Sequence, residues 1–263
     1  MKKIIKRFII TLGFFTTIPV KYIEWEEDDT KYLPLFMPII GLVISFGLFM
    51  VYNLILYFNP SSTIIAIFYI VYFIIITGGL HLDAFMDTMD AHFSRRDIDK
   101  KLLIMKDSNV GAFAVVYLAV LFMVKFALIN EISINNNLGY IILLIPIVSR
   151  IMQVFLLTNT RYAKEDSLAK MYQSLDRKYQ YLFYFYVLIV VAIYYLLFNS
   201  FDSLLLFVFA YLYMKLYQHF AIKQFNGITG DVIGCYVEIV EVLLLGVVIF
   251  LWLYILVAFL MVS

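Results

Sequence analysis

One cysteine, Cys235, serves the whole 263-residue chain. It excludes an internal disulfide and any cysteine-based metal cluster. Charge is scarce too. The chain has 20 Lys+Arg and 19 Asp+Glu, or 15% of its residues, where soluble globular chains carry about 25%. So few charges cannot cover a soluble core, and the balance excludes intrinsic disorder, a secreted disulfide scaffold and an ordinary soluble enzyme. A net charge of +1 gives no footing for nucleic acid, which needs clustered basic residues in clear excess. No repeat or low-complexity tract is evident. Apolar residues are what the chain has in abundance: 64% are hydrophobic and 18% aromatic, with a mean hydropathy of +0.92. This is the composition of an integral membrane protein.

A spanning helix needs about 20 largely apolar residues. Seven stretches qualify: Pro34–Phe58, Ser62–Gly79, Val110–Ile129, Leu138–Leu157, Tyr181–Phe198, Leu204–Tyr217 and Val232–Val262. The expected fold is an all-α, polytopic helical bundle of about seven spans (six to eight) in one domain, 1–263. The sixth span is short, and the last is long enough to tilt or to break near Gly246. The start, MKKIIKRFIITLGFFTTIP, has a basic opening like a signal peptide but no small-residue cleavage site. It is expected to stay as an amphipathic segment within 1–33, with Lys2, Lys3, Lys6 and Arg7 near lipid headgroups.

With the N-terminus inside, segments 1–33, 80–109, 158–180 and 218–231 hold nearly all the Lys and Arg. The opposite loops, Asn59–Ser61, Asn130–Asn137 and Asn199–Ser203, hold none. That asymmetry fits the positive-inside rule. The expected location is a bacterial inner membrane, with the polar loops in the cytoplasm and membrane lipid as a partner. Lys125 and Lys215 fall within nominal spans and are expected to snorkel to the boundaries.

The unusual polar residues gather in two stretches. In GGLHLDAFMDTMDAHF, Asp83, Asp87 and Asp90 are spaced i, i+4, i+7, within roughly 60° on one helical face. His81 projects almost opposite Asp83 by the same spacing. Three stacked carboxylates repel each other unless cations or protons compensate. Mg²⁺, a hard cation that prefers oxygen ligands, is the natural answer and brings phosphates with it. No His/Cys cluster suggests structural zinc. Further on, Lys106, Asp107, Ser108 and Asn109 precede an apolar helix. Ser108 and Asn109 are N-cap candidates, and a helix N-terminus beside a lysine suits a phosphate.

The second stretch, FNGITGDVIGCYVEIVE, places Asp231, Glu238 and Glu241 within roughly 80° on a helical face. Two of these acids lie inside a span, where they must face protein, water or a cation. Asn226 and Thr229 are weaker candidates that could serve only to cap the turn. Two acidic faces at one side of the membrane suggest one divalent-metal site and phosphoryl or phosphodiester chemistry.

At these stretches the chain resembles the cobalamin synthase family, the adenosylcobinamide-GDP ribazoletransferases. The family pattern GG-x-H-x-D-G-x-x-D-x-x-D-G is similar to Gly78 through Ala91, and IMKDS-x-x-G-x-x-G to Ile104 through Ala114. G-x-TGD-x-x-G-x-x-x-E is similar to Gly227 through Glu238, and F-x-T-x-x-P to the region Phe14–Pro19. The motifs run in family order nearly from end to end. Ala84, Ala91 and Ala114 stand where the family has glycine, and Asn109 where it usually has a basic residue.

The resemblance implies a Mg²⁺-dependent transferase of late vitamin B12 synthesis. It would join adenosylcobinamide-GDP to α-ribazole or α-ribazole 5′-phosphate, yielding adenosylcobalamin or its 5′-phosphate and GMP. Carried over, Asp83, Asp87 and Asp90 would bind Mg²⁺ against the diphosphate. Asp231 and Glu238, with Glu241, would complete the metal shell or orient the attacking hydroxyl as base. Lys106 would hold phosphate with Asp107 and Ser108, and His81, Asn226, Thr229 and Gly230 would contact substrate. No Ser/His or Cys/His nucleophile pair is evident, which favours direct transfer. Association with other corrinoid-assembly enzymes, or with a second copy of the chain, is compatible with this reading. The alternatives are a CDP-alcohol phosphotransferase, whose arginine after the first aspartate is missing here, and a membrane transporter using Glu238 and Glu241 as an ion path.

Overall fold

A computed structural model of the chain describes residues 2–24, 26–134, 140–163 and 178–262. Lys164, Lys170 and Arg177, counted above for the positive-inside pattern, lie outside the described residues, as do Asn135–Asn137 of an opposite loop. The elements are helical: α1 (Lys2–Phe15), α2 (Glu27–Thr30), α3 (Met37–Leu56), α4 (Ser62–Thr77), α5 (Leu80–Phe93), α6 (Ile98–Ile104), α7 (Ala112–Ile134), α8 (Ile145–Asn159), α9 (Lys178–Phe198), α10 (Asp202–Phe225) and α11 (Gly230–Val262). Short 3₁₀ turns at Leu33–Phe36 and Ile141–Leu144 lead into α3 and α8.

Among the described residues, six helices are long and apolar enough to cross a membrane, and a seventh span results if α4 and α5, bent by 95°, count as one. α10 runs past the expected end at Tyr217 to Phe225, because polar side chains end membrane burial without ending a helix. α11 is unbroken through Gly246. Glycine costs a helix only about 1 kcal/mol, less than freeing backbone groups in lipid.

α8 and α11 form the interior. The most apolar window of α8 is 83% buried and that of α11 is 67% buried, against 11% for α9. α9 instead turns Leu188, Leu196 and Leu197 outward, as a lipid-facing helix does. α3 meets α8 closely: a Cβ on Gly41 would lie 2.6 Å from the Pro146 carbonyl oxygen. Small residues at membrane helix contacts permit such approach.

α1 does not simply lie among headgroups. Lys6 pairs with Asp29 at 2.6 Å, and Arg7 Nε reaches the same carboxylate at 3.2 Å. The Arg7 guanidinium also stacks 3.7 Å from the Tyr32 ring centre. Asp29 is buried, so it needs these cations. Burial alone would push its carboxyl up, but Lys6, the Glu26 backbone N–H and Arg7 together hold it below the usual range.

Candidate active site

α4 ends and α5 begins at Gly78 and Gly79, both left-handed with φ of 63° and 75°. Glycine adopts these angles without the Cβ clash that other residues meet. The elbow swings α5 out of the line of the span and along α11. His81, Ala84, Phe85, Thr88 and Met89 form its buried side. Gly234 on α11 permits the contact, since a Cβ there would stand 2.5 Å from the Ala84 Cβ. Asp83 is left exposed and Asp87 half-buried.

Asp231 sits in the first turn of α11, where the helix dipole favours an anion. Thr229 caps that helix by accepting from the Val232 N–H at 3.2 Å. Asp83, Asp87 and Asp231 therefore converge from two helices. Their mutual repulsion is visible at Asp87. Burial first, then Asp83, Asp231 and Asp90, push its carboxyl up to about 7.

Asp90, on the same face by spacing, has a different task. Its carboxylate accepts the Gly111 N–H at 2.6 Å and the Ala114 N–H at 2.9 Å, capping α7 from another helix. The expected cap residues do not do this. Asn109 instead donates to Asp107, through its backbone at 3.0 Å and its side chain at 2.7 Å. Those bonds hold Asp107 below the usual carboxylate range. Lys106 and Ser108 lie exposed in the same turn, which the Asp90 bonds tie to the end of α5. Asn226, left-handed at φ 63°, ends α10 and accepts from Arg161 at 2.6 Å. Gly230 is exposed at the start of α11.

Glu238 and Glu241 point elsewhere. Glu238 pairs with Lys125 of α7, and Glu241 with Arg150 of α8. Ser149 donates to Glu241 at 2.9 Å. All four charged side chains are buried. This corrects the expectation that Lys125 snorkels outward: a carboxylate buried opposite it holds it inside. The structure thus separates the second acidic set, leaving Asp231 with the α5 acids and binding the two glutamates to cations within the bundle. Sequence reasoning missed Arg150. Its signal was a lone arginine inside an otherwise apolar span, a position that calls for a partner.

Beside the acids opens a cavity of about 200 Å³. Phe14 and Phe15 of α1, then Leu33, Pro34 and Met37, form one wall; Gln153, Val154 and Leu157 of α8 form another. His81, Asp83, Asp231 and Gly234 complete it. Gln153 was likewise overlooked, although it follows Arg150 by three residues and so shares its side of α8.

Among the described residues, no three His, Cys, Asp or Glu side chains stand together as a ready-made metal cage. The donor chemistry nevertheless suits Mg²⁺. The set at Asp83, Asp87 and Asp231 is all oxygen, and Asp87 shows that it lacks positive charge. Mg²⁺ typically keeps several waters and takes only one or two carboxylates plus substrate phosphates.

Relatives with known names bear on this arrangement. One from Clostridium botulinum (strain Alaska E43 / Type E3) is an adenosylcobinamide-GDP ribazoletransferase, 33% identical over 234 residues, covering 89% of this chain and 93% of its own. Another of that name, from Clostridium perfringens (strain SM101 / Type A), is 34% identical over 256 residues, covering 94% and 100%. No solved structure matches the chain. The cobalamin-5-phosphate synthase family model matches residues 7–249. With the motifs in order along α5, the 105–111 turn and α11, the chain belongs to the cobalamin-5-phosphate synthase family.

Proposed function

We propose that this chain joins adenosylcobinamide-GDP to α-ribazole or its 5′-phosphate, releasing GMP, at a Mg²⁺-dependent site on the cytoplasmic side of a bacterial inner membrane. The observation that supports this most is that Asp83 of α5 and Asp231 of α11 line one cavity, with Asp87 close enough to feel both charges. Asp83 and Asp87 would hold Mg²⁺, which when bound offsets the charge of a diphosphate. Asp231 lines the same cavity and would orient the ribazole hydroxyl and accept its proton. The hydroxyl oxygen bonds to the corrinoid-side phosphorus, the bond from that phosphorus to the GMP oxygen breaks, and GMP leaves. Lys106, exposed on the neighbouring turn, offers a cation to the phosphates.

Glu238 takes no part in this scheme, because Lys125 already neutralises it. The same pairing removes the main support for an ion path through Glu238 and Glu241. Purified protein in lipid, supplied with adenosylcobinamide-GDP, α-ribazole and Mg²⁺, should release GMP and form the cobalamin. Failure across varied metal and lipid conditions would sink the reading. Asp87→Asn should abolish turnover while the protein stays folded and inserted.

A further inference from the structure

Arg161 is held where the chain leaving α8 meets the start of α11. The Ile228 N–H donates to the Arg161 carbonyl at 2.9 Å, and the Ala163 N–H to the Ile228 carbonyl at 3.0 Å. This short parallel pairing leaves Gly227 no room for a side chain, since a Cβ there would stand 2.5 Å from the Arg161 carbonyl oxygen. Gly227 also has a φ of 146°, which glycine alone adopts readily. Arg161 is exposed, and its guanidinium donates to Asn226 at 2.6 Å. Among the described residues it meets no carboxylate. Its charge is therefore ordered but not neutralised, and its remaining N–H groups are free for a two-point contact with phosphate.

The two exposed cations are divided between the acidic helices. Lys106 stands in the turn that Asp90 ties to α5, the helix of Asp83 and Asp87. Arg161 is bonded instead to the loop that leads into Asp231 of α11. Both sides meet at this loop, where the Thr229 hydroxyl lies 3.9 Å from the sulfur of Met105, the residue before Lys106. Along the loop, between Ile228 and Asp231, the backbone is open: a Cβ on Gly230 would meet nothing within 4 Å. Gly230 also borders the cavity.

We infer that Arg161 is a substrate-binding residue, taking the phosphate of α-ribazole 5′-phosphate while Asn226 holds the guanidinium in place. This rests on the proposed reaction and adds the residue that chooses between its two acceptors. The diphosphate of the other substrate belongs with the cation at Asp83 and Asp87, and Lys106 serves that side. The acceptor presents its hydroxyl to Asp231. A phosphate on the same ribose is carried close to that hydroxyl, among acids that repel it, and needs a cation on the α11 side. Arg161 is an exposed cation bonded to that loop. A planar guanidinium already fixed by Asn226 loses little freedom on binding.

The test measures binding of α-ribazole 5′-phosphate and of α-ribazole to the full chain in lipid nanodiscs by calorimetry, beside steady-state kinetics with both substrates. The wild-type protein should bind the phosphorylated acceptor at least tenfold more tightly, a preference that shrinks as salt rises. Arg161→Gln should weaken α-ribazole 5′-phosphate about ten- to a hundredfold, the usual effect of losing a hydrogen bond to a charged group. Its KM should rise alike, while the affinity for α-ribazole and the KM for adenosylcobinamide-GDP move less than about twofold. Arg161→Lys keeps the charge without the fork and should fall between. Asn226→Ala should weaken the phosphorylated acceptor by a smaller factor. Equal loss for both acceptors would overturn the inference, since a merely structural role moves them together. So would a raised KM for the corrinoid substrate alone, which would place Arg161 on the diphosphate. Should Arg161→Gln not fold, equal wild-type affinity for the two acceptors would overturn it by itself. If the wild-type protein bound the acceptors in the expected order yet showed no turnover, the proposed reaction would fall while the phosphate seat stood.

Discussion

Replacing Arg150 by methionine should destabilise the folded chain by about 3–5 kcal/mol, the usual effect of stranding one member of a buried ion pair. Arg150 is 1% exposed and Glu241 3%. Without the guanidinium, Glu241 keeps, among the described residues, the Ser149 hydroxyl at 2.9 Å, one neutral donor for a full charge in the bundle interior. The folded-to-unfolded ratio should fall by about two to four powers of ten. Arg150→Met combined with Glu241→Leu removes both charges and should return stability to within about 1 kcal/mol of the wild type, since apolar replacement of a whole pair is often neutral. Equilibrium unfolding in mixed micelles measures all four members of the cycle, and GMP release measures activity in each. A large coupling energy with turnover restored in the double variant marks a structural pair. The opposite outcome is Glu241→Leu and Arg150→Met folding normally, with no coupling, yet losing turnover. That would return Glu241 to the metal shell and refute the assignment.

Other outcomes follow from the same geometry. The folded-state value of about 7 at Asp87 lies above that of a free carboxyl, so metal-free protein should lose stability as pH rises from about 4 through 7. Added Mg²⁺ should then restore more thermal stability at pH 8 than at pH 6; equal restoration would mean that Asp87 does not meet the ion. Asp90→Ala removes both bonds to the start of α7 and should cost about 0.5–2 kcal/mol, read by unfolding, with hydrogen exchange rising first at residues 111–114. Gly41→Ala places a Cβ within 2.9 Å of two backbone atoms of α8 and should destabilise by about 1–3 kcal/mol. A gain in stability there would show that the helices are less tightly packed.

The helices and the acidic face of α5 were legible in the sequence, because periodicity within one segment encodes which side chains share a side. It does not encode what that side meets. Asp83, Asp87 and Asp90 are equivalent by spacing, yet Asp90 lies at the end of α5 that reaches the amides of α7. The partners of Glu238 and Glu241 stand 113 and 91 residues away, so only tertiary packing could reveal them. Lys125 looked like a boundary residue because its depth along the span could be counted and its direction around the helix could not.

The break between α4 and α5 also anchors the strap that follows α1. Ending a helix within an apolar segment leaves carbonyls without intrahelical donors, and the Thr17 backbone N–H and hydroxyl donate to those of Ile76 and Ile75, at 2.9 and 2.7 Å. Lys6 and Arg7 fasten the other end of α1 to Asp29. The strap carrying Phe14 and Phe15 is thus moored at both ends, and lifting it would expose acceptors that hold the elbow closed. The wall that Phe14 and Phe15 give the cavity is therefore held in place from two sides.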